Sequence, residues 1–317
     1  MRYVVIGAGA VGGTIGARLH LAGRPVTLVA RGEHLAAVRE RGLRLATPDG
    51  ERTLDLPAVG GPDGLVLEPD CVLVLAVKSQ DTAAALATWA DVPVRGGGVA
   101  ADRLPLVCAQ NGVANEPAAL RLFAQVYAVC VWLPASYLAP GVVSAEGHPR
   151  PGMLHLGRYP HGTDRTAEQI ATDLSAGGFV TQVRADAMRW KYGKLLGNLG
   201  NGVQALFSSG DGRLAGRAAE LPARLRAEGE AALAAAGIAH TSRAEEAAER
   251  GEQVQIGRVA GRARGGGSTW QSLARGAGSA EADYLNGEIV LLGRRYGVPT
   301  PANLAVQQAV RRAVRDR

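Results

Sequence analysis

Residues 2–13 read RYVVIGAGAVGG, and no other stretch of the chain limits its fold so sharply. Residues 2–6 are short and β-branched, like a buried parallel strand. Gly7, Gly9 and Gly12 follow in G-x-G-x-x-G spacing. Residues 14–22 read as a helix ended by Gly23, and VTLVA (26–30) reads as a second strand. Strand, glycines, helix, strand is the context that makes this short motif a dinucleotide-binding signature. The first glycine permits a tight turn, the second lets the backbone approach a pyrophosphate, and the third lets the helix pack close to the strand. Ala10 and Val11 then sit where a helix N-terminus offers unpaired N–H groups to phosphate. The alternative is a glycine-rich turn without a ligand.

The end of the second strand bears on the cofactor. An NAD site places Asp or Glu there to hold the ribose 2′-hydroxyl, whereas Val29-Ala30 leads here into Arg31. A guanidinium suits a 2′-phosphate, so NADP(H) is expected over NAD(H). The alternative is a solvated loop arginine. Glu33 is expected to open the next helix.

Further apolar runs end in polar residues. Residues 71–77 form a strand that delivers Lys78, before a helix over 82–90. Residues 104–108 deliver Gln110-Asn111-Gly112, and 127–132 are another run. Residues 141–159 are Gly- and Pro-rich with short apolar pieces, which suggests antiparallel strands, and 179–183 read as a last strand. Beyond about residue 185, Ala, Leu, Glu and Arg recur at helical spacing. The expected fold is α/β: a Rossmann-like doubly wound sheet over 1–185, followed by an all-helical domain over 186–317. RARGGG (262–267) reads as a flexible loop.

Composition excludes several classes. Hydrophobic residues make up 47% and charged residues 20%, which is globular. The 3 cysteines, without CxxC or Cys/His spacing, offer neither a disulfide scaffold nor a metal site. They suit a reducing compartment, and a cytoplasmic protein is expected. The uncharged stretch over 3–17 is broken by glycines and falls short of the roughly 20 residues a membrane span needs. The net charge is +6, but the arginines are scattered and aromatics are only 4%, so a negatively charged small molecule is expected rather than nucleic acid.

Of 35 Lys and Arg residues, only Lys78, Lys191 and Lys194 are lysines. A chain that uses arginine for generic charge keeps lysine where a compact, deprotonatable ammonium is needed, or by chance. Trp190, Lys194, Asn198 and Asn201 are spaced four, four and three, and would share one helix face. That stripe reads either as a wet helix face or as the border of a cleft. Ser268, Thr269 and Glu281 could hold a small polar substrate, or serve as a helix N-cap and a first-turn charge.

With GAGAVGG, Arg31, AVKSQ, QNG, KLLGN, Ser268-Thr269, EADYLNGE and the late GVPTPAN (297–303) in this order, essentially the whole chain resembles the ketopantoate reductase family. The resemblance implies reduction of a 2-keto acid with NADPH, through a Rossmann domain and a helical domain. It implies Lys194 as the general acid, Glu281 orienting substrate or ammonium, and Asn198 holding substrate polar groups. Ser268 or Thr269 would bind the carboxylate, and Lys78 and Asn111 would line the cofactor and ketone side.

This chain departs from the family pattern in places. The slot of the second asparagine is Gly202, with Asn201 one position early. Lys191 is a rival to Lys194. Trp270 and Gln271 stand where apolar residues are commoner. Other readings are a reductase of a different keto compound, a 3-hydroxyacid dehydrogenase of the 6-phosphogluconate type, and a non-catalytic NADP(H)-binding sensor. The assembly is left open, a homodimer among the options.

Overall fold

A computed structural model describes residues 1–63, 65–207, 220–261, 266–267, 269–271 and 280–316. Its described chain packs as two units. The first comprises Met1–Asn111, Asn115–Met188 and Ala247–Arg264. The second comprises Gly112–Ala114, Arg189–Glu246 and Gly265–Arg317.

The first unit is built on β1 (Arg2–Ile6), whose alternating side chains serve two cores. Tyr3 and Val5 enter one, Val4 and Ile6 the other. Such two-sided burial is the reason for the continuous apolar run. β1 pairs in parallel with β2 (Val26–Val29) on one side and β6 (Cys71–Leu75) on the other. Outside β2 lies β5 (Ala58–Val59). Outside β6 lie β7 (Leu106–Cys108), β8 (Val126–Trp132) and the antiparallel β12 (Met153–Arg158). The full order is β12-β8-β7-β6-β1-β2-β5. The strand order reverses at β1, which opens a crevice at the strands' carboxyl ends.

On one face lie α1 (Ala10–Leu21) and α6 (Arg165–Ala176), and on the other α3 (Thr82–Ala90) and α4 (Ala100–Arg103). Tyr3 donates its hydroxyl to the buried Asp173 at 2.7 Å, and Arg24 stands 3.0 Å from the same carboxylate, so α6 is pinned to β1.

Sequence patterning had pointed to antiparallel strands over 141–159, and these divide between sheets. β9 (Ala135–Ala139) and β10 (Val142–Ala145) form a hairpin that joins β3 (Leu43–Thr47) and β4 (Gly50–Leu54) in a second sheet, β4-β3-β10-β9. Residues 179–183 form no full strand. Val180 and Val183 make isolated parallel bridges to Met153 and Leu156 along the edge of β12.

Among the described residues of 186–317 helices dominate, with one strand as a departure from the all-helical expectation. Val254–Ile256 is a strand, β13, paired antiparallel with β11 (Gly147–Pro149). Its segment packs in the first unit, where Glu249 lies 3.1 Å from the buried His155 and 2.7 Å from Arg184. A chain that returns to a sheet-bearing unit can satisfy its backbone by pairing.

In the second unit the expected single stripe is broken. α7 (Ala187–Asn198) ends before a turn at Leu199-Gly200, and Asn201 starts α8 (Asn201–Phe207). Gly197 and Gly200 weaken helix continuation here. Asn286 donates to the Leu199 carbonyl at 3.1 Å, which satisfies a group that the break leaves outside the helix.

Asn286 and Asn303 belong to one buried network. Asn286 donates to Asn303 Oδ1 at 3.0 Å, and Asn303 donates to the Leu225 carbonyl and to Glu228. Glu228 also accepts from the backbone N–H groups of Ala302 and Asn303, so a carboxylate caps the N-terminus of helix Pro301–Arg315. Gly229 allows helix Leu221–Ala235 to approach closely, because an added Cβ would lie 2.5 Å from Leu196.

Candidate active site

The first unit holds a cavity of about 330 Å³ at the carboxyl ends of β1 and β2. Gly7, Ala8, Gly9, Ala30, Arg31 and His34 are among the residues lining it. Gly7 has φ +100°, a backbone that L side chains rarely adopt, and an added Cβ would meet Val77 at 2.9 Å. A Cβ on Gly12 would collide with the Gly7 carbonyl oxygen, so α1 reaches β1 only because that position is bare. Gly9 differs: nothing lies within 4 Å of its would-be Cβ. The glycines at the turn and at the helix contact are steric necessities, while the middle one leaves free space.

Gly9 is the N-cap of α1, with no side-chain cap and no acidic residue in the first turn. The first-turn N–H groups, with Ala10 and Val11 among them, are thus left for an anion. A pyrophosphate fits this cradle.

Arg31 is the N-cap residue of α2 (Gly32–Arg41) and is exposed on the cavity rim. It has no carboxylate partner among the described residues. His34, one turn further on, donates from Nε2 to the Ala8 carbonyl at 2.8 Å. Its Nδ1 accepts from the Gly141 N–H at 2.9 Å. The imidazole is held neutral between two backbone groups, and burial pushes its pKa below the usual value.

Lys78 and Asn111 stand just beyond β6 and β7, at the same end of the sheet. In the second unit, Lys194 and Asn198 are one turn apart on α7, both half-buried, while Lys191 is only 3% exposed. The rivals therefore differ in access. Glu281 is buried in a 3-10 turn, Glu281–Asp283, ahead of helix Asn286–Tyr296.

Gly202 packs against helix Pro301–Arg315, where an added Cβ would meet Val306 at 2.7 Å, so a larger side chain is excluded. Asn201 instead faces the segment that carries Thr269, with its Oδ1 3.4 Å from the would-be Cβ of Gly267. Thr269 is buried, and Ser268 lies outside the described residues, as do residues 262–265 of the glycine-rich loop.

Sequence reading missed His34, Gly60, Gly61, Thr88 and Trp89 as cavity residues. Gly60-Gly61 directly follows β5, and a glycine pair after a strand was the available signal. The other three carry no local motif.

Two family models match the chain: "Ketopantoate reductase PanE/ApbA" over residues 3–161 and "Ketopantoate reductase PanE/ApbA C terminal" over 186–314. The chain belongs to the ketopantoate reductase family. A 2-dehydropantoate 2-reductase of Halobacterium salinarum is 33% identical over 327 residues, spanning 100% of both chains. The crystal structure of a PanE/ApbA family ketopantoate reductase from Ralstonia eutropha JMP134 has a TM-score of 0.77 at 28% identity, covering 100% of this chain and 99% of that one. A ternary structure of D-mandelate dehydrogenase with NADH and anilino(oxo)acetate has a TM-score of 0.81 at 21% identity over 100% of this chain and 99% of that one, and it shows the fold alone. As a ketopantoate reductase family member, the chain is a nicotinamide-dependent oxidoreductase. Among the described residues no helix is long and apolar enough to cross a membrane, and no cluster could hold a metal ion.

Proposed function

We propose that this chain reduces a small 2-keto acid to the 2-hydroxy acid with NADPH, and that the keto acid is 2-dehydropantoate. The observation that carries the proposal is the shared cavity: the open side of Gly9 and Arg31, which has no carboxylate partner among the described residues, line one space. A pyrophosphate on the α1 N-terminus then leaves the ribose 2′-phosphate to Arg31. The full-length relative named 2-dehydropantoate 2-reductase supports the substrate.

When bound, the nicotinamide supplies a hydride to the ketone carbon. Negative charge then gathers on the ketone oxygen. Lys194 is assigned to stabilise that charge and to give the oxygen a proton from Nζ, recovered from water afterwards. Arginine could do the first but hardly the second. Lys194, half-buried where Lys191 is 3% exposed, is the more accessible of the two ammonium groups, which supports its choice. Asn198 and Asn201 are assigned to the substrate's polar groups, Ser268 or Thr269 to its carboxylate, and Glu281 to orienting substrate or ammonium. Lys78 and Asn111 complete the cofactor side. Residues 1–185 form the dinucleotide domain in this reading and 186–317 the catalytic one. Cys71, Cys108 and Cys130, buried and not joined in disulfides, support a reducing, cytoplasmic setting.

A second reading, reduction of a different keto acid, is favoured by Trp270, whose ring packs against Gly266. The test is NADPH and NADH oxidation with 2-dehydropantoate beside aliphatic and aromatic 2-keto acids. Turnover fastest with 2-dehydropantoate and NADPH is expected. A clear preference for another keto acid would replace the substrate, and tight NADPH binding without turnover would leave a sensor. Arg31→Ala should weaken NADPH binding about 10-fold or more while sparing NADH, since it removes only a charge-assisted contact to the 2′-phosphate.

A further inference from the structure

Buried side chains behind Lys78 and Asn111 form a chain of hydrogen bonds that the functional reading leaves unused. Thr82, the first residue of α3, donates its hydroxyl to Asn115 Oδ1 at 2.8 Å. The same hydroxyl accepts from Gln110 Nε2 at 2.8 Å. Gln110 also donates to the Val77 carbonyl at 2.8 Å. Asn115, the first residue of α5 (Asn115–Leu120), donates to Ser79 Oγ at 3.2 Å and to the Asn111 carbonyl at 3.1 Å. Ser79, Thr82, Gln110 and Asn115 are all at most 4% exposed.

The backbone groups this network grips are telling. The Val77 carbonyl immediately precedes Lys78, and the Asn111 carbonyl belongs to Asn111 itself. Neither segment is inside a strand: β6 ends at Leu75 and β7 at Cys108. Backbone bonds carry the ladder one residue further, from Ala76 to the Ile6 carbonyl and from Ala109 to the Leu75 carbonyl, and beyond them these side chains grip the Val77 and Asn111 carbonyls. Thr82 is the hinge of the arrangement, because its hydroxyl is donor to one partner and acceptor from the other.

We propose that Thr82 and Asn115 are positioning residues, which hold the Lys78 and Asn111 segments in register with each other at the dinucleotide site. The inference rests on the reductase reading for the roles of Lys78 and Asn111. A side chain displaced by about 1 Å at a reacting centre can cost about 100-fold in rate, so a lost hydroxyl here should be felt in turnover although it touches no substrate.

The test uses near-isosteric pairs. Thr82→Val keeps the shape and removes both hydrogen bonds; Thr82→Ser keeps the hydroxyl. Asn115→Asp keeps the acceptor for Thr82 and loses both donated bonds. Leu86→Ala, in the core under the same helix, is the control for stability alone. Thr82→Val and Asn115→Asp should lower kcat/KM by about 10-fold or more, and Thr82→Ser should restore most of it. Leu86→Ala should lower Tm with kcat within about two-fold, since its cost is a cavity in the core. Unchanged kcat/KM in folded Thr82→Val, or an equal loss of kcat in Leu86→Ala, overturns the proposal. If the wild type reduces no 2-keto acid, the reductase reading fails on its own. The network is then judged on NADPH affinity: Thr82→Val weakens it if the proposal holds, and equal affinity in Thr82→Val and the wild type overturns it.

Discussion

Two regions of the molecule carry the candidate site in opposite ways. The Gly7–Gly12 loop works through missing side chains: two glycines are required by close backbone and one leaves open space. In the proposed function the α7 region would work through side chains presented on a helix, Lys194 and Asn198, while nearby polar residues are spent on structure. Asn286, Asn303 and Glu228 lie in or against motifs that the family resemblance singled out, yet they hold the α7–α8 break and cap a helix. A motif built from backbone geometry announces its purpose, because only glycine satisfies it. A motif built from polar side chains does not, because the same residue types serve binding and folding.

Breaking the loop should have the largest effect. Gly12→Val places two methyl groups and a Cβ against the Gly7 carbonyl, Ala76 and Val5. A stability loss above about 3 kcal/mol by chemical denaturation is expected from such overpacking, with dinucleotide binding abolished. Full NADPH affinity in this variant would remove the steric argument.

On the helical side, Lys194→Arg should keep dinucleotide affinity and lose about 10²–10⁴-fold in kcat, the usual share of general acid catalysis. Lys191→Arg sharpens the contrast. It should cost stability, because its position is buried, and far less turnover. The reverse pattern in single-turnover kinetics would transfer the role to Lys191.

The structural half of the motif set is tested by Asn303→Ala. It removes the side-chain bonds to the Leu225 carbonyl, to Asn286 and to Glu228, while Glu228 keeps the backbone N–H groups of Ala302 and Asn303 and Asn286 keeps the Leu199 carbonyl; a lost intramolecular hydrogen bond costs about 1 kcal/mol. Thermal unfolding should show the loss while kcat of the folded enzyme stays within about two-fold, since no substrate-facing group changes. A fall in kcat without a fall in Tm would place Asn303 in the site instead.

The smallest effect is pH-dependent. His34 is neutral between Ala8 and Gly141, and its folded pKa lies below the ordinary value of 6.5. Its stabilisation is complete above 6.5, because both folded and unfolded forms are then neutral. As pH falls below that value the unfolded chain takes up a proton first, and stability declines until the folded imidazole also titrates. Denaturation at pH 7.5 and 5.0 in wild type and His34→Gln checks this: the variant should show a shallower decline.

Much of the first unit could be read directly. The strands at 2–6, 26–30 and 71–77 and the helix at 82–90 follow from apolar runs and their polar endings, and the structure has them within two residues. The second sheet was not anticipated, although Thr47-Pro48-Asp49-Gly50 is a turn signal between two short alternating runs. β3 lies beside β10, nearly a hundred residues away, and that pairing has no local trace. The α7–α8 break was hidden for a related reason. The spacing of Trp190, Lys194, Asn198 and Asn201 suits one helix, and Gly197 and Gly200 only weaken it. Asn286, from a distant segment, makes the break tolerable by binding the freed carbonyl.

What the sequence determined by itself was wherever chemistry left one solution: a glycine where backbone approaches backbone, and an apolar run where both faces of a strand are covered. Tertiary structure decided which polar residues face a cavity and which were consumed in holding the chain together. Asn198 and Asn303 are the same side chain, each on a helix. Only the setting brought by folding, a half-buried helix position for Asn198 and a buried carbonyl and carboxylate for Asn303, separates a candidate ligand from a structural strut.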